Sequence, residues 1–411
     1  MGYGGIYTSG KNGDINSFQN YKRNQKKIVT GFRNTLEKLM SEGKLPFKLT
    51  FETDSDAVKL DTNDVYSLAL VMTRDDINNE TFESPDSGTK INKTYVNVGM
   101  VAILYQTVDE PGNKGKKNSI VFSLPVVGYS INVSGKDGMS QEESDTMFVK
   151  VANSTLENVL AERLKKISID NLSGKIKKIA DNKAVIDIGS ANGLIMGQTV
   201  KFVQSGNLVT RGKVENISLN EATIITAANF DKLKEGTDIE ASNIKGTSSE
   251  TYQVVGFKIS SEKCKKWFDE NSIGPQASQW FSDYLSERGG KVVLPSKIGN
   301  TWVEASNEQS FAVFIKDGQE HLFEVAKPKY RVILDLTGLS DKKIEEESNN
   351  INENWIFKLW MNVEIPEKKY SKEFDTISTK SIIVGTQSFE EKTEVFDLLH
   401  QLTAKSAKEI D

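Results

Sequence analysis

Residues 173–241 read SGKIKKIADNKAVIDIGSANGLIMGQTVKFVQSGNLVTRGKVENISLNEATIITAANFDKLKEGTDIEA, and the fold turns on how this stretch is read. Short runs rich in β-branched residues recur at close intervals, with glycines at 174, 189, 193, 197, 206 and 212 marking the turns between them. The spacing of four between Gly189, Gly193 and Gly197 would suit one face of a helix. Three glycines weaken a helix, however, and the alternation on either side favours strands. Glycine accepts positive φ without penalty, so these positions let the chain reverse tightly between Ile186–Ile188 and Val200–Val203. Many short strands with glycine punctuation predict a small β-barrel over residues 171–242, an arrangement that leaves few free strand edges.

Upstream, residues 1–166 read as helix, strands, helix. Residues 14–43 carry Ile28, Phe32, Leu36 and Leu39 at helical spacing and stop at Gly43, where a left-handed C-cap favours glycine. PFKLTFE (46–52), VYSLALVMT (65–73), TYVNVGMVAILYQT (94–107) and SIVFSLPVVGYSINV (119–133) read as an antiparallel meander. Ser140 and Glu143 then make a capping-box pattern ahead of a helix bearing Phe148, Val151, Val159, Leu160 and Leu164.

Downstream, residues 251–411 repeat that order. YQVVGFKIS (252–260) is a strand and residues 262–288 are helical. KVVLP (291–295), YRVILDL (330–336), WIFKLWMNVEI (355–365) and KSIIVGT (380–386) are strands, and Ser388 with Glu391 opens a last helix. The expectation is an α+β chain in which two helix-plus-antiparallel-sheet units, the second a duplicate of the first, flank an SH3-like β-barrel. Linkers are expected at 167–172 and 243–250. In WIFKLWMNVEI, Trp355, Phe357, Leu359, Met361, Val363 and Ile365 share one face, which leaves Trp360 pointing outward. Trp360 is therefore the candidate interface residue, with cover from a neighbouring loop as the alternative.

The pattern IDIGSANGLIMGQTVKF (186–202) followed by RGKVENISLNEATI (211–224) resembles the SH3-like domain of the flagellar-assembly protein T family. It also looks like the β-domains of the cell-shape protein MreC, and the flanking units are similar to modules of the curli-secretion protein CsgG. The resemblance implies a non-enzymatic part of a bacterial envelope structure. It departs from those families in order, since a second α/β unit follows the barrel, and MreC's membrane helix and coiled coil have no counterpart. No functional residues carry over, because the matched positions are turn glycines and apolar residues such as Ile188, Val200 and Phe202.

The composition narrows the chemistry. With 411 residues the chain is long enough for two to four domains. Lys+Arg 52 against Asp+Glu 57 gives a net charge of −5, without the basic surface that nucleic acid requires. The cluster Lys22, Arg23, Lys26 and Lys27 reads as the solvated face of the first helix. No run approaches the roughly 18 apolar residues of a membrane span. MGYGGIYTSGKNG places Gly5, Gly10 and Lys11 in most of a phosphate-loop pattern. Asn12 stands where the Mg²⁺-binding hydroxyl belongs, and little chain precedes the loop to form a strand, so a flexible N-terminal arm is expected.

Only His321 and His400 are present, in no metal-ligand spacing, and the single cysteine, Cys264, is expected to be a buried structural thiol. Asp54, Asp56, Asp61 and Asp64 lie in an acidic loop that fails the EF-hand pattern. Neither cofactor nor metal nor nucleic acid is expected. The leading expectation is a non-enzymatic assembly or scaffold protein of a bacterial envelope structure. It would act through protein partners as a homo-oligomer or within a larger assembly, periplasmic or envelope-associated if a leader has been removed and otherwise cytoplasmic. The alternatives are a soluble cytoplasmic or phage-associated protein-binding module, and a hydrolase using carboxylates.

Overall fold

A computed structural model describes residues 2–9, 18–45, 66–83, 90–109, 116–134, 138–165, 167–180, 182–194, 198–226, 229–245, 252–287, 297–298, 301–302, 304–305, 310–325, 328–345, 351–384 and 387–410. The acidic loop, PFKLTFE, KVVLP, Gly10 and Lys11 lie outside these residues. The fold is α+β, with mostly antiparallel sheets and one small six-stranded closed barrel.

The first sheet contains β1 (Gly2–Ser9), β2 (Tyr66–Glu83), β3 (Lys90–Asp109) and β4 (Lys116–Ser134). β2, β3 and β4 form an antiparallel meander, and β1 runs parallel to β2. Helices α1 (Gln19–Ser41) and α2 (Gln141–Ser154) cover one face, burying Ile28, Phe32 and Leu36 against Leu68, Leu70, Met72 and Met100. Ser140 and Glu143 close the capping box on α2, and Gly43 ends α1 with φ +64°.

The stretch expected to be a flexible N-terminal arm is strand β1. Gly5, which had suggested part of a phosphate loop, and its neighbour Gly4 serve the packing of that strand. A Cβ on Gly4 would meet Tyr105 Oη at 2.8 Å, and Gly5 takes φ +82° at a bulge. Backbone approach, rather than a ligand, accounts for both glycines.

The other face of this sheet is a second core. The last third of the chain sends back a hairpin, β15 (Ser310–Lys316) and β16 (Gln319–Val325), turning at Asp317-Gly318 with both φ values positive. β16 pairs with β4, and β15 pairs with β1 through Thr8↔Ile315 and Ser9↔Phe314, so the ring β1-β2-β3-β4-β16-β15 closes on itself. Its interior holds Tyr7, Ala69, Val71, Val101, Ile103, Phe314 and Phe323. Phe323 meets Tyr7 and Tyr105 edge-on at centroid distances of 5.4 and 5.1 Å. The hairpin lies within the second α/β unit expected at 251–411 and pairs with the sheet of the first segment. Short strands β12 (Lys297–Ile298), β13 (Thr301–Trp302) and β14 (Glu304–Ala305) precede it.

The middle segment is the closed antiparallel barrel, in the order β10-β5-β6-β9-β8-β7. The strands are β5 (Ser168–Ala180), β6 (Lys183–Ile186), β7 (Thr199–Gln204), β8 (Asn207–Ile217), β9 (Ala222–Thr226) and β10 (Asp238–Lys245). Ile176, Ile186, Ile188, Val200, Phe202, Val214, Ile224 and Ile239 fill it. Gly193 takes φ +97°, and a Cβ on Gly189 would meet only backbone, Ser218 O at 2.5 Å and Glu221 N at 2.6 Å. The linkers expected at 167–172 and 243–250 are corrected as far as they are described. Ser168, Ile169, Asp170, Asn171 and Leu172 pair with Lys245, Ile244, Asn243, Ser242 and Ala241, so entry and exit form one two-stranded stem.

The last sheet runs β11 (Tyr252–Ile259), β17 (Tyr330–Ile344), β18 (Asn352–Ile365), β19 (Tyr370–Ile383). β17, β18 and β19 are an antiparallel meander, and β11 is parallel to β17. It follows the plan of the first sheet down to its irregularities. The parallel pairs β1/β2 and β11/β17 each bulge just before Gly5 and Gly256, and β2 and β17 each skip one threonine, Thr73 and Thr337, against the next strand. Phe357, Leu359, Met361, Val363 and Ile365 are fully buried on one face of β18 beneath α5 (Glu270–Glu287), which follows the short α4 (Glu262–Lys265), and α6 (Gln387–Glu409). α6 begins at Gln387, one residue before the serine expected to cap it.

Candidate functional site

α5 joins the two α/β units, because one face of it is polar and turned toward the first sheet. Gln279 accepts a bond from Thr73 Oγ1 (3.0 Å) and donates to Met100 O (3.3 Å), and Gln276 donates to Asn97 Oδ1 (3.2 Å). One turn further on, Asp283 forms a buried ion pair with Arg163 of α3 (Ala161–Leu164), whose guanidinium also donates to Pro125 O at 3.1 Å. The β-barrel is tied to the first sheet by the Lys213–Glu324 pair. These bonds fix β4 between the two helical layers.

β4 is a border strand of the first sheet. Among the described residues its second edge pairs with β16 only through Asn118, Ser119 and Ile120, and Pro125 O is held by Arg163. From Val126 to Ser134, among the described residues, no strand pairs with that edge. An unpaired edge presents alternate N–H and C=O groups to whatever lies beside it. What lies beside it is a groove of about 750 Å³ between Val127–Asn132 and the helix running from α2 into residues 155–160. The helix supplies Met147 and Val151 at the base, and exposed Lys150, Ser154 and Asn158 on the rim.

The helix changes geometry where it approaches β4. Thr155–Leu160 is π-helical, with Ala161 N–H bonded to Leu156 O. Such wider turns are frequent at functional places in helices. Thr155 Oγ1 donates back to Val151 O at 2.7 Å and lies where a side chain on Gly128 would be. Gly128 therefore sets how closely the helix can stand to the strand. At about 3.4 Å per residue, the edge from Val127 to Asn132 offers about 20 Å of ladder.

A second concavity, of about 520 Å³, lies on the opposite face of the same strands, under α5 and α6. Tyr129 borders both spaces. Aromatic Tyr95, Trp267 and Phe396 line it along with the Asn97–Gln276 pair, and Arg74, already paired with Asp76, is at its mouth.

The residues singled out in the sequence fall elsewhere. Trp360 is half-buried on the outer face of β18, its ring lying over Gly338 of β17, where a Cβ would meet Trp360 Cε3 at 3.0 Å. Lys358 Nζ is 4.9 Å from the centre of that ring. The tryptophan thus covers backbone that glycine leaves bare. His400 Nε2 bonds Tyr284 Oη at 2.8 Å between α6 and α5, and burial pushes its pKa down. His321 lies on β16 with its ring edge-on to Tyr7. Cys264 is buried, which raises its thiol pKa. Among the described residues no three of His, Cys, Asp and Glu gather as metal ligands would, and no described helix is long and apolar enough to cross a membrane. The β4 groove was not anticipated; the long SIVFSLPVVGYSINV run, with Pro125 and Gly128 in one strand, was its only sign, since proline belongs on edge strands.

The chain is thus defined by its fold, two α/β units built on one plan with a closed barrel inserted between them. No family model matches it, and no curated protein matches it. Among solved structures it is similar to the rare lipoprotein B from Shewanella oneidensis, at 12% identity, over 38% of this chain and 89% of that chain, with a TM-score of 0.17.

Proposed function

We propose that the chain is a non-catalytic assembly protein that holds an extended segment of a partner protein as an added strand along β4. The observation that carries this reading is the open edge from Val127 to Asn132 facing α2 across a groove of about 750 Å³. Strand addition beside a helix draws affinity from main-chain hydrogen bonds and selectivity from alternate side chains of the added segment. Here the α2 wall would read those side chains, through Met147 and Val151 below and Lys150 and Ser154 above. The resemblance of residues 186–224 to the barrel of the flagellar-assembly protein T family supports placing this work in a bacterial envelope structure. The outer sheet face around Trp360 and Ile377, the latter 60% exposed, would serve as a second contact surface.

The test is selection of short peptides on the intact chain from a display library, followed by titration. Peptides that bind the native chain and lose at least tenfold in affinity for Ser154→Trp, which fills the groove from its exposed rim, support the reading. Peptides that bind both proteins equally, or no selected peptide at all, overturn it.

A further inference from the structure

The cleft of about 520 Å³ beneath α5 and α6 has a built polar floor that the fold does not use up. Asn97 and Gln276 are 4% and 2% exposed, both line the cleft, and each makes one bond, to the other. Two primary amides hold two donor groups and two acceptor oxygens between them. One bond consumes one donor hydrogen and engages one acceptor. Asn97 Nδ2 and Gln276 Oε1 have no protein partner among the described residues. Turning both amides over leaves the same result, an unused donor next to an unused acceptor. Both residues line the cleft, so this unused donor and acceptor match a ligand that supplies an acceptor and a donor side by side.

The walls narrow the choice. Trp267, Tyr95, Tyr129 and Phe396 line the cleft, and Asn78 and Asn79 are exposed residues of its lining. Among the described residues, Arg74 is the only basic residue lining the cleft. It is paired with Asp76, and Asp269 lies on the rim as well, so the cleft has no spare positive charge for phosphate or carboxylate. A neutral ligand with an amide, apolar flat faces and several hydroxyls satisfies all three features. We infer that the cleft binds an N-acetylated amino sugar, its acetamido group on the Asn97–Gln276 pair, its ring faces against the aromatic walls and its hydroxyls on Asn78 and Asn79. The volume suits a unit of one or two sugar rings.

The experiment titrates the intact chain with N,N′-diacetylchitobiose and, separately, with cellobiose, which has the same linkage and ring size but hydroxyls in place of acetamido groups. Calorimetry and saturation-transfer NMR on the acetyl methyl signals read the result. The expected outcome is binding of diacetylchitobiose at least tenfold tighter than cellobiose, with saturation transfer strongest at an acetyl methyl. Trp267→Ala, a half-buried wall residue, should weaken it at least tenfold, and Gln276→Met, which keeps the side-chain length, should erase the preference over cellobiose; thermal unfolding checks that both variants are folded. Equal affinity for the two sugars, insensitivity to both folded variants, or no heat and no transfer at about 10 mM sugar would overturn the inference. The groove variant Ser154→Trp should leave this binding unchanged, so the cleft stands or falls separately from the groove.

Discussion

Replacing Gly128 by alanine should push the α2 helix off β4, and the structure sets the size of the effect. The new Cβ would fall on Thr155 Oγ1, with Val151 Cγ1 at 3.1 Å and Thr155 Cβ at 3.2 Å. The threonine can rotate away only by giving up its 2.7 Å bond to Val151 O, worth about 1 kcal/mol. The remaining contacts are tighter than van der Waals separation, and overpacking of this kind costs about 1–3 kcal/mol. Gly128→Ala should therefore destabilise by about 2–4 kcal/mol. Thr155→Ala removes the clashing oxygen and should cost about 1 kcal/mol or less alone. The double variant should recover about 1–2 kcal/mol relative to the sum of the single effects, a coupling between residues in contact. Urea unfolding followed by fluorescence and far-ultraviolet circular dichroism gives the four stabilities. Strict additivity, or a Gly128→Ala variant as stable as the native chain, would refute the close approach on which the groove's width rests.

The other predictions concern the supports of that frame. Burial raises the Asp75 carboxyl from 3.8 to about 6, while Tyr21 N–H donates to it at the start of α1. The folded state then holds the proton more tightly than the unfolded chain, so this group's contribution rises as pH falls from about 6 towards 3.8 and is lost as pH rises through 6. Asp75→Asn keeps an acceptor for Tyr21 and removes the charge. It should flatten that limb of the stability–pH curve and stabilise the chain by about 1–3 kcal/mol at pH 7, measured by urea unfolding. Arg163→Ala leaves Asp283 buried without its partner and should cost about 3–5 kcal/mol, with early exposure of the α5 interface in native-state hydrogen exchange. Gly193→Val forces a branched residue to φ +97° in the barrel and should cost about 1–3 kcal/mol, whereas Leu219→Ser, at an exposed position, should change stability by less than about 0.5 kcal/mol.

Much of the architecture is legible in local patterns, because those patterns report local physics. The period-two alternation of WIFKLWMNVEI places its buried face on Phe357, Leu359, Met361, Val363 and Ile365, and the Ser140–Glu143 box starts α2 where the sequence puts it. The glycine punctuation of residues 173–241 corresponds to the turns and close approaches of a closed barrel. What escaped the reading depends on contacts distant in sequence. β1 is too glycine-rich to look like a strand; β2 on one side and β15, some 300 residues away, on the other hold it in place. The hairpin SFAVFIKDGQEHLFEV did carry a local signal, the Asp317-Gly318 turn between alternating strands, yet nothing near it announces that it completes the sheet of residues 2–134. The stem formed by residues 168–171 and 242–245 reads as linker because, among the described residues, its strands have only each other to pair with. The groove and the cleft are less legible still, since each is the space between elements and no residue type marks a strand edge that lacks a neighbour.

Amide hydrogen exchange along β4 tests the strand-addition account most directly. In the free chain, the N–H groups of Val126–Ser134 that point away from β3 should exchange far faster than their β3-bonded neighbours. A groove-binding peptide should then protect those outward amides, while leaving the β5–β10 stem unchanged. Uniform protection of both sets in the free chain, or saturating peptide binding that leaves the outward amides as fast as before, would contradict it.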